Sequence, residues 1–113
     1  MVTGFRTYLV AIALAIYAYT TVVIVNHGAN LFPVFFGDIA AMGWPGQFNF
    51  DFMSLLSLSA LWVAWRHSFS AGGLVLAFLA AIGGVAFLSL YLLVVSFQTT
   101  GDVRALLIGP GRT

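Results

Sequence analysis

Residues 71–97 read AGGLVLAFLAAIGGVAFLSLYLLVVSF and form the longest apolar stretch of the chain. Only small residues, Ser89 and Tyr91 interrupt it. A straight helix of this length measures about 40 Å, which exceeds a hydrocarbon thickness of about 30 Å. The stretch therefore predicts a membrane-spanning helix over about 71–98 that tilts or protrudes.

Two shorter apolar runs, residues 8–25 and 52–65, lie upstream and each ends at polar residues. They predict helices over about 6–26 and 48–66, because a backbone in lipid must satisfy its own hydrogen bonds and no alternating pattern suits a barrel. The first run is longer than the usual core of a signal peptide, so we interpret it as a retained helix. We predict an all-α fold: one integral membrane bundle over residues 1–113, with three transmembrane helices and a short interfacial helix in the first loop.

The composition of the 113 residues excludes several classes of protein. Hydrophobic residues make up 62% and charged residues 6%, with a mean hydropathy of +1.07, whereas soluble domains carry about a quarter charged residues. A net charge of +1 provides no basic surface for nucleic acid, and the absence of cysteine excludes disulfides and thiolate metal sites. His27 and His67 follow different helices and fall on opposite faces, so we expect no metal and no cofactor.

The linker between the first two helices, residues 26–49, is rich in aromatic residues, which favour the membrane–water boundary. Pro33 suits the first position of a helix and predicts an interfacial helix over about 32–43. Polar residues of the linker and its junctions cluster on one membrane face with Trp44. These residues are candidates for binding a lipid headgroup, a quinone or a pigment, or they form an ordinary hydrated loop: Asn26, His27, Asn30, Asp38, Trp44, Asn49 and Asp51.

Asp51 has two interpretations, which depend on where its helix begins. If Asn49 caps the helix, Asp51 lies in the first turn, where a carboxylate accepts free backbone N–H groups. If Pro45 opens the helix, Asp51 lies about 9 Å inside it, where a carboxylate needs a partner or a function. We favour the cap. Arg104 could pair with Asp51, because we expect the third helix to return to the same face.

Small residues recur along the third predicted helix at three- and four-residue spacing: Gly73, Ala77, Ala80, Ala81 and Gly84. Such a stripe lets helix backbones approach closely. We favour packing against the first two helices over the alternative, a homo-oligomer interface.

The four arginines leave the orientation evenly balanced. Arg6 and Arg66 are expected on one face, and Arg104 and Arg112 on the other, beside one more helical turn over 103–108. Arg66 lies in a very short loop, where the positive-inside rule acts best, so we expect a cytoplasmic amino terminus. The Arg66 side chain is expected to extend to lipid headgroups beside two tryptophans.

Several short motifs carry a resemblance to a known family: Asn26-His27-Gly28-Ala29-Asn30, Phe35-Phe36, Asp51 with Ser54, Arg66, Gly83-Gly84 and Tyr91-Leu92-Leu93. Together they resemble an uncharacterised family of small bacterial three-helix inner-membrane proteins, a domain of unknown function. The resemblance implies a multi-pass protein of the bacterial inner membrane. It implies no activity.

The scarcity of ionisable groups predicts a function without catalysis, because no base is placed to activate the serines of the second helix. We expect an accessory subunit, or a binder of an apolar ligand such as a lipid, quinone or pigment, within a larger assembly. Its expected partners are membrane lipids and other membrane subunits or further copies of the chain, without nucleic acid. The alternative is an oligomeric transporter or channel built from three-helix units.

Overall fold

The computed structural model describes residues 2–110, which form five α-helices and contain no strand. The helices are α1 (Val2–His27), α2 (Phe32–Ala41), α3 (Trp44–Arg66), α4 (Ala71–Gln98) and α5 (Val103–Ile108). Three of them, α1, α3 and α4, are long and apolar enough to cross a membrane by length and composition. The all-helical prediction is confirmed, and so are the short helix in the first loop and the helical turn that became α5.

The first half of α4 runs along α3, away from the loop that joins them. Gly73 lies against the side chain of His67, and Ala77 and Ala80 share a buried cluster with Val63. Further along, Gly84 reaches Phe52 near the middle of α3. These contacts make the first half of α4 antiparallel to α3.

The second half of α4 turns back and runs along α1. The Tyr17 hydroxyl donates to the Ala86 carbonyl oxygen at 2.8 Å, and Arg6 Nη2 donates to the Ser96 carbonyl oxygen at 2.9 Å. The chain then passes Val2, which Gly101 contacts. Both ends of α4 therefore lie at the same end of the molecule, and each half is about 20 Å long. The expectation of one straight helix that tilts or protrudes over 71–98 is wrong.

The reversal occurs at Gly84, whose φ of 56° and ψ of −144° are not helical. A side chain there would be strained by the positive φ, and its Cβ would come within 2.8 Å of Phe52 Cζ. Gly84 therefore forms the turn between the two halves of α4. The prediction that it continues the stripe of small residues along one helix is wrong. The other residues of that stripe do face the chain's own core: Gly73, Ala77 and Ala80 are buried and Ala81 is half-buried.

Two ends can now be distinguished. The arginine end holds Arg6, Arg66 and Arg104: Arg66 Nε donates to the Leu106 carbonyl oxygen, so α5 lies against the end of α3. The expectation that Arg66 and Arg104 lie on opposite faces is therefore wrong, and Arg112 lies outside the described residues. The aspartate end holds α2 and the first half of α3, with Asp38 and Asp51. Because Arg104 is at the other end, it does not pair with Asp51.

The helices pack in the order α1–α4–α3–α2, with α5 against α4. The core lies at the arginine end, where Val63, Tyr91 and Val95 are buried together with Leu106 of α5. At the aspartate end, every residue from Tyr17 to Val34 is exposed. The hairpin of α4 thus fills one end of the molecule and leaves the other open.

Candidate functional site

The beginning of α3 decides the meaning of Asp51. The helix starts at Trp44, after Gly43 at the cap position and with a proline in its first turn. Pro45 therefore opens the helix, and the favoured interpretation, in which Asn49 caps it, is wrong. Asn49 instead donates from Nδ2 to the Phe35 carbonyl oxygen at 3.1 Å, which ties α3 to α2. Asp51 lies about 10 Å from the first residue of α3.

Asp51 belongs to a polar stripe on one face of α3. Gln47, Asp51 and Ser54 are spaced four and three residues apart, so they share a face of the helix. All three are exposed, and all three line an open groove of about 570 Å³ between α2 and α3. Gln47 is not among the residues predicted from the sequence, although its four-residue spacing to Asp51 places both on one face of a helix.

The opposite wall of this groove is apolar, and α2 approaches α3 very closely there. Ile39 of α2 and Met42, the residue that follows α2, line it together with Gly43, Gly46 and Phe50. A Cβ on Gly46 would collide with the backbone carbonyl oxygen of Asp38, so only glycine allows this approach. The groove therefore combines a carboxylate, an amide and a hydroxyl with one exposed glycine, Gly43, while Gly46 is already covered by α2.

The remaining predicted ligand-binding residues do not all come together. Asp38 and Asn49 are half-buried within the α2–α3 pair, and Trp44 is exposed with its ring beside Phe48. Asn26 and His27 are exposed at the end of α1, where they line a separate open groove with residues of α1 itself. Asn30 is exposed in the connection between α1 and α2.

The arginine end contains a second polar arrangement, centred on Arg66. Its side chain is only 7% exposed, so the expectation that it extends to lipid headgroups is wrong. Arg66 donates from Nε to the Leu106 carbonyl oxygen at 2.6 Å and from Nη2 to the Ala105 carbonyl oxygen at 3.2 Å. Carbonyl groups at the end of a helix carry partial negative charge, so the end of α5 balances this cation.

Tyr91 connects Arg66 to His67. Its hydroxyl accepts from Arg66 Nη1 at 3.4 Å and lies 2.7 Å from His67 Nε2. Burial, followed by the neighbouring Arg66 charge, lowers the pKa of His67. The neutral ring can accept the Tyr91 proton at Nε2, which leaves the tyrosine lone pairs for Arg66.

Arg6 is held in place by the second half of α4. It donates from Nε to Ser96 Oγ at 3.0 Å and from Nη2 to the Ser96 carbonyl oxygen at 2.9 Å. Its guanidinium carbon lies 3.8 Å from the centre of the Phe97 ring. Ser96 is fully buried and donates to the Leu93 carbonyl oxygen at 2.7 Å, so its position is fixed as well.

Two of the three serines of α3, Ser54 and Ser57, bond to their own helix. Ser54 Oγ donates to the Phe50 carbonyl oxygen at 3.0 Å, and Ser57 Oγ donates to the Ser54 carbonyl oxygen at 2.6 Å. Within residues 2–110, no three side chains of His, Cys, Asp or Glu are grouped so that they could hold a metal ion.

Comparison with known proteins identifies no relative: no family model, no curated protein and no solved structure matches this chain.

Proposed function

We propose that the chain is a non-catalytic, multi-pass integral membrane protein that serves as an accessory subunit of a larger membrane assembly. Its docking surface is the polar stripe of Gln47, Asp51 and Ser54 on α3. One observation carries the proposal: an exposed carboxylate lies well inside a helix that is long and apolar enough to cross a membrane.

The depth of Asp51 supports a partner. The 23 residues of α3 span about 34 Å, close to a hydrocarbon thickness of about 30 Å. Asp51 then lies about 8 Å inside the hydrocarbon, where an unpaired carboxylate costs several kcal/mol. A partner that pairs with Asp51 removes this cost and gains the stability of the pair.

The groove also indicates what kind of partner fits. Gln47, Asp51 and Ser54 offer hydrogen-bond acceptors along one face, and the exposed Gly43 lies beside them. A transmembrane helix of another subunit that carries a cationic or hydrogen-bond-donating side chain matches this surface, because close backbone approach and interhelical hydrogen bonds drive helix association in lipid.

The arginines support a cytoplasmic amino terminus. Arg6, Arg66 and Arg104 lie at one end, and among residues 2–110 no arginine lies at the other. The positive-inside rule therefore favours a cytoplasmic arginine end, with α2 and Asp51 towards the opposite face. Placement in the bacterial inner membrane rests on the resemblance described above.

Purification from native membranes in a mild detergent tests the proposal. We expect a membrane partner to copurify with the wild-type chain and its recovery to fall about tenfold in Asp51→Asn, since a charged hydrogen bond is lost. Asp38→Asn removes the same charge at the same end but outside the groove and should leave recovery unchanged. Recovery of the chain without a partner, or equal losses in both variants, would contradict the proposal; a bound quinone or pigment would favour an apolar-ligand binder.

The break in α4 favours a second candidate, an oligomeric transporter or channel. Many transporters form their sites where a helix is interrupted near the middle of the membrane, and Gly84 interrupts α4 beside Phe52, the neighbour of Asp51. Ion or solute flux in proteoliposomes distinguishes this function. Flux that Asp51→Asn abolishes would support it, and flux equal to that of empty liposomes would remove it.

A further inference from the structure

A second groove lies at the arginine end, on the seam between α1 and the second half of α4. Its volume is about 590 Å³, and it opens widely to the surroundings. Eight residues line it: Thr3, Arg6, Thr7, Val10, Ala11 and Leu14 of α1, with Leu93 and Phe97 of α4. The polar members all belong to the first turns of α1, and the apolar α1 members follow.

This order of residues gives the groove a polar mouth and an apolar interior. Thr3, Arg6 and Thr7 lie at the outer end of α1, whereas Val10, Ala11 and Leu14 lie deeper. The distance along the helix from Thr3 to Leu14 is about 16 Å, which matches half of a hydrocarbon core of about 30 Å. The apolar part from Val10 to Leu14 takes about 6 Å of this distance, so the groove accommodates a headgroup and the first segment of one acyl chain.

Arg6 is the residue that selects the ligand. Its Nε and Nη2 are engaged by Ser96, and Phe97 lies against its plane. Within residues 2–110, its Nη1 makes no hydrogen bond, so both N–H groups of Nη1 remain for a ligand, besides the second N–H of Nη2. Ser96 already holds the Arg6 guanidinium in place. The binding of a phosphate therefore costs little further side-chain entropy of Arg6.

We infer that this groove binds one anionic phospholipid of the leaflet at the arginine end. The phosphate accepts from Arg6 Nη1 and from the Thr3 hydroxyl, and one acyl chain lies along Val10, Ala11 and Leu14. Thr7 Oγ1 already donates to the Thr3 carbonyl oxygen at 2.8 Å, so its hydroxyl contributes no further proton. Arg66 is balanced by the end of α5, and Asp102 lies beside Arg104, so Arg6 itself provides the charge that favours an anionic headgroup over a zwitterionic one.

Native mass spectrometry of the full chain released from nanodiscs tests the inference. The nanodiscs contain equal parts of phosphatidylglycerol and phosphatidylcholine. We expect the wild-type chain to retain one phosphatidylglycerol in preference to phosphatidylcholine, and Arg6→Gln to lower that retention about tenfold. Arg104→Gln removes an equal charge from an exposed side chain outside the groove and should change retention less than about twofold.

A second pair of variants tests the acyl part of the site without touching Arg6. Ala11→Phe fills the groove from an exposed position, and we expect it to lower lipid retention about as much as Arg6→Gln. Ala15→Phe adds the same bulk to an exposed position of α1 outside the groove and should have no effect. Equal retention of the two lipids by the wild type, or equal losses in Ala11→Phe and Ala15→Phe, would overturn the inference.

The lipid site does not depend on the proposed accessory function. Asp51 lies at the other end of the molecule, so Asp51→Asn should leave lipid retention unchanged while it lowers partner recovery. A failure of either proposal is therefore visible independently of the other.

Discussion

The arginine end and the aspartate end of this molecule each contain part of a helix that is long and apolar enough to cross a membrane, yet they differ in how their polar groups are satisfied. At the arginine end, Arg66 and Arg6 bond to carbonyl oxygens of α5 and α4, and Val63 and Ser96 beside them are fully buried. At the aspartate end, Asp51 faces an open groove. The chain surrounds the buried Arg66 with its own carbonyl oxygens and leaves Asp51 to its surroundings, which is why we assign protein docking to the aspartate end.

The strongest test of this comparison removes the turn that fills the arginine end. We expect Gly84→Ala to destabilise the protein by about 4 kcal/mol, from a strained positive φ together with a clash against Phe52. Gly72→Ala, on the same helix, adds a Cβ in open space and should not destabilise the protein. Unfolding in detergent measures both, and equal stability of the two variants would show that α4 does not reverse at Gly84.

The next largest effect concerns the buried cation. Arg66→Met removes the side-chain donors of the Ala105 and Leu106 carbonyl oxygens, at a cost of about 3 kcal/mol, although Ala105 keeps the Gly109 N–H. We expect α5 to detach, so that residues 103–108 become sensitive to limited proteolysis. Arg104→Gln is the control, since its side chain is exposed; proteolysis at the same rate in both variants would refute the role of Arg66.

A smaller and more local effect is expected at the aspartate end. Gly46→Ala pushes α2 away from α3, because the new Cβ collides with the Asp38 backbone, and we expect a loss of about 2 kcal/mol. Hydrogen exchange should increase in residues 32–41 and remain unchanged at the arginine end. Gly37→Ala on α2 meets open space and should leave exchange unaltered. Increased exchange throughout the molecule would mean that the two ends are not independent.

The smallest expected effect depends on pH and sharpens the account of the arginine end. The folded protein lowers the pKa of His67 below its ordinary value of 6.5, so below that pH the unfolded chain binds more protons. Stability from this site is fully present above pH 6.5 and is lost as the pH falls below it. Unfolding measured from pH 8 to pH 5 should show this decline in the wild type and a weaker one in His67→Gln; identical profiles would exclude the neutral ring.

Much of the secondary structure followed from the sequence because local signals carried it. Pro33 opens α2 as predicted, and the apolar runs correspond to the three long helices. The start of α3 was misjudged because Asn49 and Pro45 both give plausible helix starts. Because α3 begins at Trp44–Pro45, Asn49 lies inside the helix. Its side-chain amide donates to the Phe35 carbonyl oxygen and does not cap the helix.

The largest error came from a feature that hydropathy does not register. Gly83-Gly84 is as compatible with a tight helix interface as with a turn, and only the positive φ of Gly84 distinguishes them. A straight α4 places Arg104 at the aspartate end, which is wrong. It also leaves Arg66 without a partner in the chain, so its side chain is expected to extend to lipid headgroups. The Arg66 bonds to α5 could not be predicted, because they exist only if α4 brings the chain back.

The reversal of α4 has a consequence for topology in a cell. A hydropathy profile gives three crossings, an odd number, and so assigns the two flanks of the helical region to different compartments. With α1 and α3 as the crossings the number is even, and reporter enzymes attached before Val2 and after Ile108 would both be active in the same compartment.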